Sequence, residues 1–380
     1  MHFGLTPEQE MVAETVRTFV EVEIYPHEDE VERLGYVPHE LGESIKQKVI
    51  DMGFYAPNFP EEVGGGGLDH LTFTLLEREL GRGSMALTHF WGRPQNILMA
   101  CEGEQRDEYL FPAVRGERMD ALAMTEPDAG SDAAALTTTA EQDDTSFVLN
   151  GDKTLISNGG IADYYTVFAK TGEAPGTRGI SAFVIDADTA GLEINERIEV
   201  IAPHPLARIR FNQCRIPKTQ QIGSGGEGFK MAMATLDIFR STVGAAALGF
   251  ARHAMHEAFN RTKSRQMFGA PMSKLQLIQS KIGEMSLDID ASSLLIYRAA
   301  WTKDKGAEKI TKEAAMAKLF ATEAAQRVID EAVQIFGGSG VVSGFPVEQL
   351  YREIRALRIY EGASEVQKLI IAAQTLRENK

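Results

Sequence analysis

The sequence predicts a mainly α-helical protein with a β domain set into its middle, and three observations carry that reading. Apolar residues recur at helical spacing up to about residue 118, strand-like runs fill about 119 to 222, and long helical periods return after 228. Helices and strands therefore come in blocks and do not alternate, which argues against a doubly wound nucleotide fold. The expected domains are 1–118, 119–222 and 223–380.

In the first block, Met11, Val12, Val16 and Val20 share one helical face, and Phe73, Leu76 and Leu80 do the same behind the break GGGGLDH. In the second, FVLNGDKTLIS places Asn150 and Gly151 between two strand-like runs, a hairpin signal, and DYYTVFAKT, GISAFVIDA and ARIRFNQCRI add strand candidates. GSGGEG at 223–228 matches GxGxxG literally. The pattern after it stays helical to about Lys263, with no second strand to complete a βαβ unit, so it reads as a flexible hinge and not as a dinucleotide fingerprint. Periodic segments at about 229–263, 271–304 and 311–336 make a helical bundle. The last helix follows LRIYEGASEVQKLIIAAQ, where Ser364 and Gln367 form a capping-box pattern and Val366, Leu369, Ile370 and Ala373 an apolar stripe. Glu361 falls in the turn before that helix.

Composition narrows the function. The 380 residues carry 39 basic and 54 acidic side chains, a net charge of −15, which argues against a general nucleic-acid or anionic-membrane surface. Cys101 and Cys214 lie far apart without metal spacing, so a reducing compartment fits and no disulfide framework or metal site is indicated. The amino terminus has no signal-peptide layout, and no apolar run reaches the ~18 residues of a membrane span. HExxH, GxxxxGK and GxSxG do not occur, leaving metalloprotease, NTPase and serine-hydrolase readings without support.

ALAMTEPDAGSD (121–132) offers small residues and hydroxyls to a flat ligand. Together with LISNGGIADYYTVFAKT, RSTVGAAALGFARHAM, SRQMFGAPMSKLQ, AVQIFGGSG and IYEGASEVQ, it resembles the acyl-CoA dehydrogenase family of flavoproteins along essentially the whole chain. The resemblance implies an amino-terminal helical domain, a middle β-barrel and a carboxyl-terminal four-helix bundle, with FAD between barrel and bundle. It also implies a homotetramer built as a dimer of dimers, a role in fatty acid metabolism, and a cytoplasmic or mitochondrial-matrix setting. By the same resemblance Met124, Thr125, Gly130, Ser131, Ile156 and Ser157 belong to the flavin site, with Ser157 near N5. Arg265, Phe268 and Gln276 take the diphosphate and adenine end, Gln334 and Gly338 approach FAD from a neighbouring subunit, and Ala363 and Glu365 complete the cofactor set. Ser131, Asp237, Arg240 and Gly362 are the implied acyl-CoA contacts. An arginine suits a phosphate chemically.

The implied reaction is oxidation of an acyl-CoA thioester to the 2-enoyl-CoA, with electrons passed to an electron-transferring flavoprotein. Glu361 corresponds to the base that takes the α-proton, which needs a carboxylate shielded from water and raised in basicity. Some members carry the base on the first bundle helix, where this chain has Phe239. Two positions depart from the family: Leu155 stands where most relatives have tryptophan, and Ala363 where many have threonine. Phe90, Trp91 and Phe239 add bulk around the implied acyl pocket and predict a short, branched or cyclic acyl group, and Arg93 is a candidate for a second carboxylate, the alternative being that Trp91 packs between helices and Arg93 faces water. The competing readings are an acyl-CoA oxidase or a flavin monooxygenase, both using oxygen, and a non-catalytic acyl-CoA or flavin-binding scaffold.

Overall fold

The computed structural model describes residues 4–378. The helices preceding the sheet are α1 (Pro7–Phe19), α2 (Tyr25–Leu34), α3 (His39–Asp51), α4 (His70–Leu80), α5 (Met85–Thr88) and α6 (Phe111–Val114). The strands are β1 (Asp120–Ala123), β2 (Thr139–Gln142), β3 (Ser146–Ser157), β4 (Tyr164–Lys170), β5 (Ile180–Asp186), β6 (Leu192–Ile198), β7 (Leu206–Pro217) and β8 (Gln221–Ile222). Then follow α7 (Gly228–Ser264), β9 (Gln266–Met267), β10 (Ala270–Pro271), α8 (Gln276–Asp304), α9 (Thr311–Phe336), α10 (Pro346–Leu357) and α11 (Ser364–Glu378). By contacts the chain forms two compact units: residues 36–68 with 89–236, and residues 1–35 and 69–88 with 237–380.

The unit spanning 36–68 and 89–236 is built on the sheet. Its strands follow the order β6-β7-β3-β2-β4-β5-β8, with β1 parallel to β4. This path has two ends, so the β-barrel expectation is corrected to an open sheet. The ends are not bare: β6 is lined with exposed charges such as Glu193 and Glu196, and β8 is only two residues long, both of which discourage further pairing. Alternate residues of the almost wholly buried β4 and β5 serve two cores. Tyr164, Phe168, Ile180, Ala182 and Val184 pack with Phe59, Leu110 and Val114, while Tyr165, Val167, Phe183 and Ile185 pack with Leu149, Ile209 and Phe211.

The hairpin expected at Asn150–Gly151 is also corrected, because both residues lie inside the twelve-residue β3, which pairs with β7 along its length. The register slips between Leu149 and Gly151, and a Cβ on Gly151 would collide with Thr138, so the glycine serves a bulge and a close approach. Asn150 fastens it by accepting from Gln213 N and Nε2 at 2.9 and 3.0 Å. Two glycines of GSGGEG are packed as well, while Gly223 and Gly225 are exposed. Side chains on Gly226 and Gly228 would run into the backbone of Arg178 and Ser181, and Gly226 N donates to Ser181 Oγ at 2.9 Å.

The other unit is helical. α1 begins with a capping box, Gln9 N donating to Thr6 Oγ1 at 3.2 Å and Thr6 N to Gln9 Oε1 at 3.0 Å. Val16 and Val20 are buried as the stripe requires, whereas Met11 faces solvent. α4 starts under two carboxylates: Asp69 accepts from Thr72 N at 2.7 Å, and Asp304 accepts from His70 N and Leu71 N at 2.8 and 2.9 Å. Alanines 245, 299, 317 and 321 let α7, α8 and α9 come close around Leu248 and Ile296. Among the described residues the helices α7 to α11 make up the carboxyl-terminal part, in which α10 buries Val347, Leu350, Ile354 and Leu357 in a stripe the sequence reading did not assign.

Candidate active site

Glu361 occupies the short turn that separates α10 from α11. Its φ of 57° and the φ of 94° at Gly362 put both residues in the left-handed region, unusual for a glutamate and natural for a glycine. Side chains from three helices hold that backbone. Arg240 on α7 donates Nε to Glu361 O at 3.3 Å, Lys318 on α9 donates Nζ to Gly362 O at 2.8 Å, and Gln367 on α11 donates Nε2 to both carbonyls at 3.1 and 3.0 Å. The capping-box expectation is thereby corrected. Gln367 reaches back to the turn's carbonyls, and Ser364 donates its hydroxyl to Glu323 at 2.5 Å.

The Glu361 carboxyl has a buried Oε2 without a hydrogen-bond partner. Burial raises it to about 7, against the opposing charges of Arg240 and Lys318. A carboxylate in that condition can exchange a proton near neutral pH. Asp237 and Arg240, expected as acyl-CoA contacts, form an ion pair at 2.7 Å, and Thr311 donates to the other oxygen of Asp237 at 2.6 Å. Arg240 is thus steered toward the Glu361 carbonyl. Ala363 is half-buried and Glu365 exposed on either side of the buried Ser364.

The loop containing TEPDAGSD is shaped by two residues the sequence reading passed over. Glu126 accepts from Thr137 N and Oγ1 at 2.5 and 2.8 Å, from Thr138 N at 3.0 Å and from Lys153 Nζ at 2.8 Å. Lys153, with no exposed surface, also donates to Met124 O at 3.2 Å. Burial works to raise the Glu126 carboxyl, yet the Lys153 charge and these donors hold it down at about 2. Burial likewise lowers Lys153, to about 8. The pair is ionised at neutral pH, because the ammonium has a carboxylate and a carbonyl to hold its charge. Thr125 is fixed to β3 by Thr154 N donating to its carbonyl at 2.9 Å, while Gly130 and Ser131 stay exposed at the tip. Met124 and Ile156 are buried, so only their backbone groups can serve a ligand.

On β3 a second register slip, between Lys153 and Ile156, turns Leu155 outward with a φ of 55° and 53% exposure. Ser157 Oγ lies 3.0 Å from His204 Nε2, and the His89 ring stands edge-on to His204 with centroids 6.3 Å apart. Burial pushes both imidazoles down, to about 3 for His89 and about 4 for His204, so both are neutral at pH 7. Neither histidine was singled out in the sequence, since nothing local pairs positions 157 and 204. Trp91 has 1% exposure and packs edge-on to Phe54 at 6.1 Å, and Phe90 fills the space over Gly42. Trp91 is thus packed inside its unit, which agrees with the core role that its position left open beside the pocket reading.

In the helical unit, Arg265 leads into the β9–β10 hairpin, whose two-residue loop is Phe268–Gly269 with φ values of 50° and 82°. Phe268 is 90% exposed. Gln276 is the first residue of α8, and Gln334 and Gly338 are exposed where α9 ends. An exposed arginine beside an exposed aromatic ring suits a diphosphate and a flat base, and the hydroxyls of Ser131 and Ser157 are open to a ring system. These residues fit FAD chemically.

Family models for acyl-CoA dehydrogenases match residues 6–117 (N-terminal domain), 121–214 (middle domain) and 226–376 (C-terminal domain). The chain belongs to the acyl-CoA dehydrogenase family. That family is FAD-dependent. The chain is 39% identical over 375 residues to the human mitochondrial short-chain specific acyl-CoA dehydrogenase, covering 97% of this chain and 90% of the relative. It is 35% identical over 379 residues to subunit CarC of the caffeyl-CoA reductase–Etf complex of Acetobacterium woodii, covering 98% and 99%. The structure of butyryl-CoA dehydrogenase from Megasphaera elsdenii superposes with a TM-score of 0.91 at 34% identity, covering 99% of this chain and all of that one. The helical N- and C-terminal segments around a central sheet follow the family's three-domain architecture.

Proposed function

We propose that this protein is an acyl-CoA dehydrogenase in which Glu361 removes the α-proton of an acyl-CoA thioester and the product is the 2-enoyl-CoA. The buried, unpartnered Oε2 of Glu361, on a left-handed turn held from three helices, carries this reading. The flavin, when bound, supplies the hydride acceptor for the β-carbon. A substrate displacing the last water raises the basicity of the carboxylate further, and the Glu361 amide is the donor for the thioester carbonyl. Thr125, Gly130, Ser131 and Ser157, with backbone groups of Met124 and Ile156, hold the flavin ring and its neighbours. Arg265, Phe268 and Gln276 hold the diphosphate and adenine, with Gln334 and Gly338 serving the same end in a second subunit and Ala363 and Glu365 completing the set. Ser131, Asp237, Arg240 and Gly362 line the thioester.

An electron-transferring flavoprotein is the proposed acceptor, in keeping with the Etf-complexed relative. The segments 1–118, 119–222 and 223–380 are taken as the family's domains, in a homotetramer of two dimers. Among the described residues no helix is long and apolar enough to cross a membrane, and a cytoplasmic or mitochondrial-matrix setting is proposed. The short-chain and butyryl-CoA relatives, with Phe90 and Phe239 in this chain, favour a short or branched acyl group. Glu361→Gln tests the reading: FAD and acyl-CoA binding persist, and flavin bleaching by butyryl-CoA falls by about four orders of magnitude. Bleaching at the wild-type rate would move the base elsewhere, and fast reoxidation of the wild type by oxygen would favour an oxidase.

A further inference from the structure

Lys318 has no exposed surface, lies on α9 and reaches the Gly362 carbonyl at 2.8 Å. Gln367, a neutral donor, already reaches the same oxygen at 3.0 Å. A buried ammonium is a costly way to repeat that hydrogen bond unless its charge is used. The charged groups facing it are Glu361 on the turn, Arg240 from α7, Arg358 after α10 and Glu323 on α9 itself. Glu323 is occupied by Arg358 at 2.8 Å and by Ser364, and Lys318 forms no ion pair among the described residues. Its charge is therefore left to act on Glu361, whose own facing charges are Arg240 and Lys318. Arg240 is already engaged with Asp237 at 2.7 Å, which leaves Lys318 as the cation near the base that is not neutralised by a carboxylate of its own.

We propose that Lys318 is a positioning residue for Glu361, holding the left-handed turn through the Gly362 carbonyl and setting, through its charge, the pH at which the base ionises. The inference rests on Glu361 being the base. It separates two effects: the hydrogen bond fixes where the carboxylate stands, and the charge favours its ionised form, so that a proton acceptor is available in the free enzyme despite burial. The same arrangement keeps the ammonium off the carboxylate itself, where a direct ion pair would remove the basicity the reaction needs.

The test uses the FAD-loaded, full-length protein with Lys318→Gln, which keeps a donor without charge, and Lys318→Met, which keeps neither. Butyryl-CoA is the probe, and kcat/KM for flavin reduction is followed against pH. The Glu361 carboxyl band is titrated separately by infrared difference, each variant against the same variant with Glu361→Gln added. Both variants are expected to raise the band's midpoint and the acid limb by about one pH unit, and Lys318→Met alone to lose about tenfold in the plateau rate. Unmoved midpoints, or a lower plateau with both the limb and the band in place, would make Lys318 a packing residue and overturn the proposal. Should Lys318→Met fail to fold, Lys318→Gln decides alone. A Glu361→Gln enzyme that still bleaches at the wild-type rate would sink the base assignment, while the infrared band would still report whether Lys318 acts on that carboxyl.

Discussion

Two buried lysine–glutamate neighbourhoods, one in each unit, bring about opposite results. In the sheet unit, Lys153 touches the Glu126 carboxylate at 2.8 Å, and backbone and hydroxyl donors satisfy the remaining lone pairs, so the acid is held at about 2 and never takes a proton at neutral pH. In the helical unit, Lys318 is bonded to a carbonyl one residue beyond Glu361, whose carboxyl keeps a bare oxygen and sits at about 7. One geometry makes a rigid support for a loop, the other leaves a carboxyl able to exchange a proton near neutral pH. The difference lies in where the ammonium is placed, not in which residues are present.

The largest expected effect comes from breaking the first neighbourhood. Lys153→Met leaves Glu126 buried without its counter-charge, and we predict a loss of about 3–5 kcal/mol in denaturant unfolding, together with loss of FAD as the 121–132 loop comes free. A loss under 1 kcal/mol would show that Thr137 and Thr138 alone suffice. Next is Gly362→Ala. A side chain there is strained at a φ of 94° and meets Gln367, so the turn shifts and flavin reduction should fall by about 100-fold with FAD content unchanged. Reduction within threefold of wild type would mean that the turn is less demanding than its backbone implies.

The smallest effect has opposite signs in the two places. Glu126, held below its unfolded value, contributes stability that is present above about pH 4.5 and is lost as pH falls toward 2. Glu361, held above its unfolded value, contributes stability that is full below about pH 4.5 and is lost as pH rises through 7. Glu361→Gln should therefore be more stable than the wild type at pH 8, by about 1–2 kcal/mol, with the gap closing near pH 5. Thermal melts at the two pH values check this, and a gap that is constant with pH would remove the linkage to this carboxyl.

The block order of helices and strands was legible because periodicity is local, and Glu361 could be singled out as a candidate because its motif is contiguous. What the sequence concealed depends on distant positions. Lys318 lies in the stripe of α9 formed by Ala314, Ala317, Ala321 and Ala325, and a lysine inside an apolar stripe is the one available sign that it is buried for a purpose. His204, two residues before β7, meets Ser157 at the end of β3, a contact set by the pairing of Ser157 with Leu206. The open sheet escaped because closure depends on which strands pair at the two ends, and the bulge at Asn150 because Asn-Gly is also a common hairpin sequence. The burial of Trp91 was left open because helical position alone does not say which way a large ring faces.

The bulge in β3 bears on how this chain can be engineered. Anyone choosing a place to graft a fluorescent reporter or open new termini from the letters alone would select Asn150–Gly151 as a hairpin tip. A cut there would divide a strand that is paired with β7 on both sides of the break and would remove the Asn150 contacts to Gln213. The turn between β2 and β3, where Asp143 accepts from Thr145 N and Ser146 N in an exposed loop, is the tolerant address.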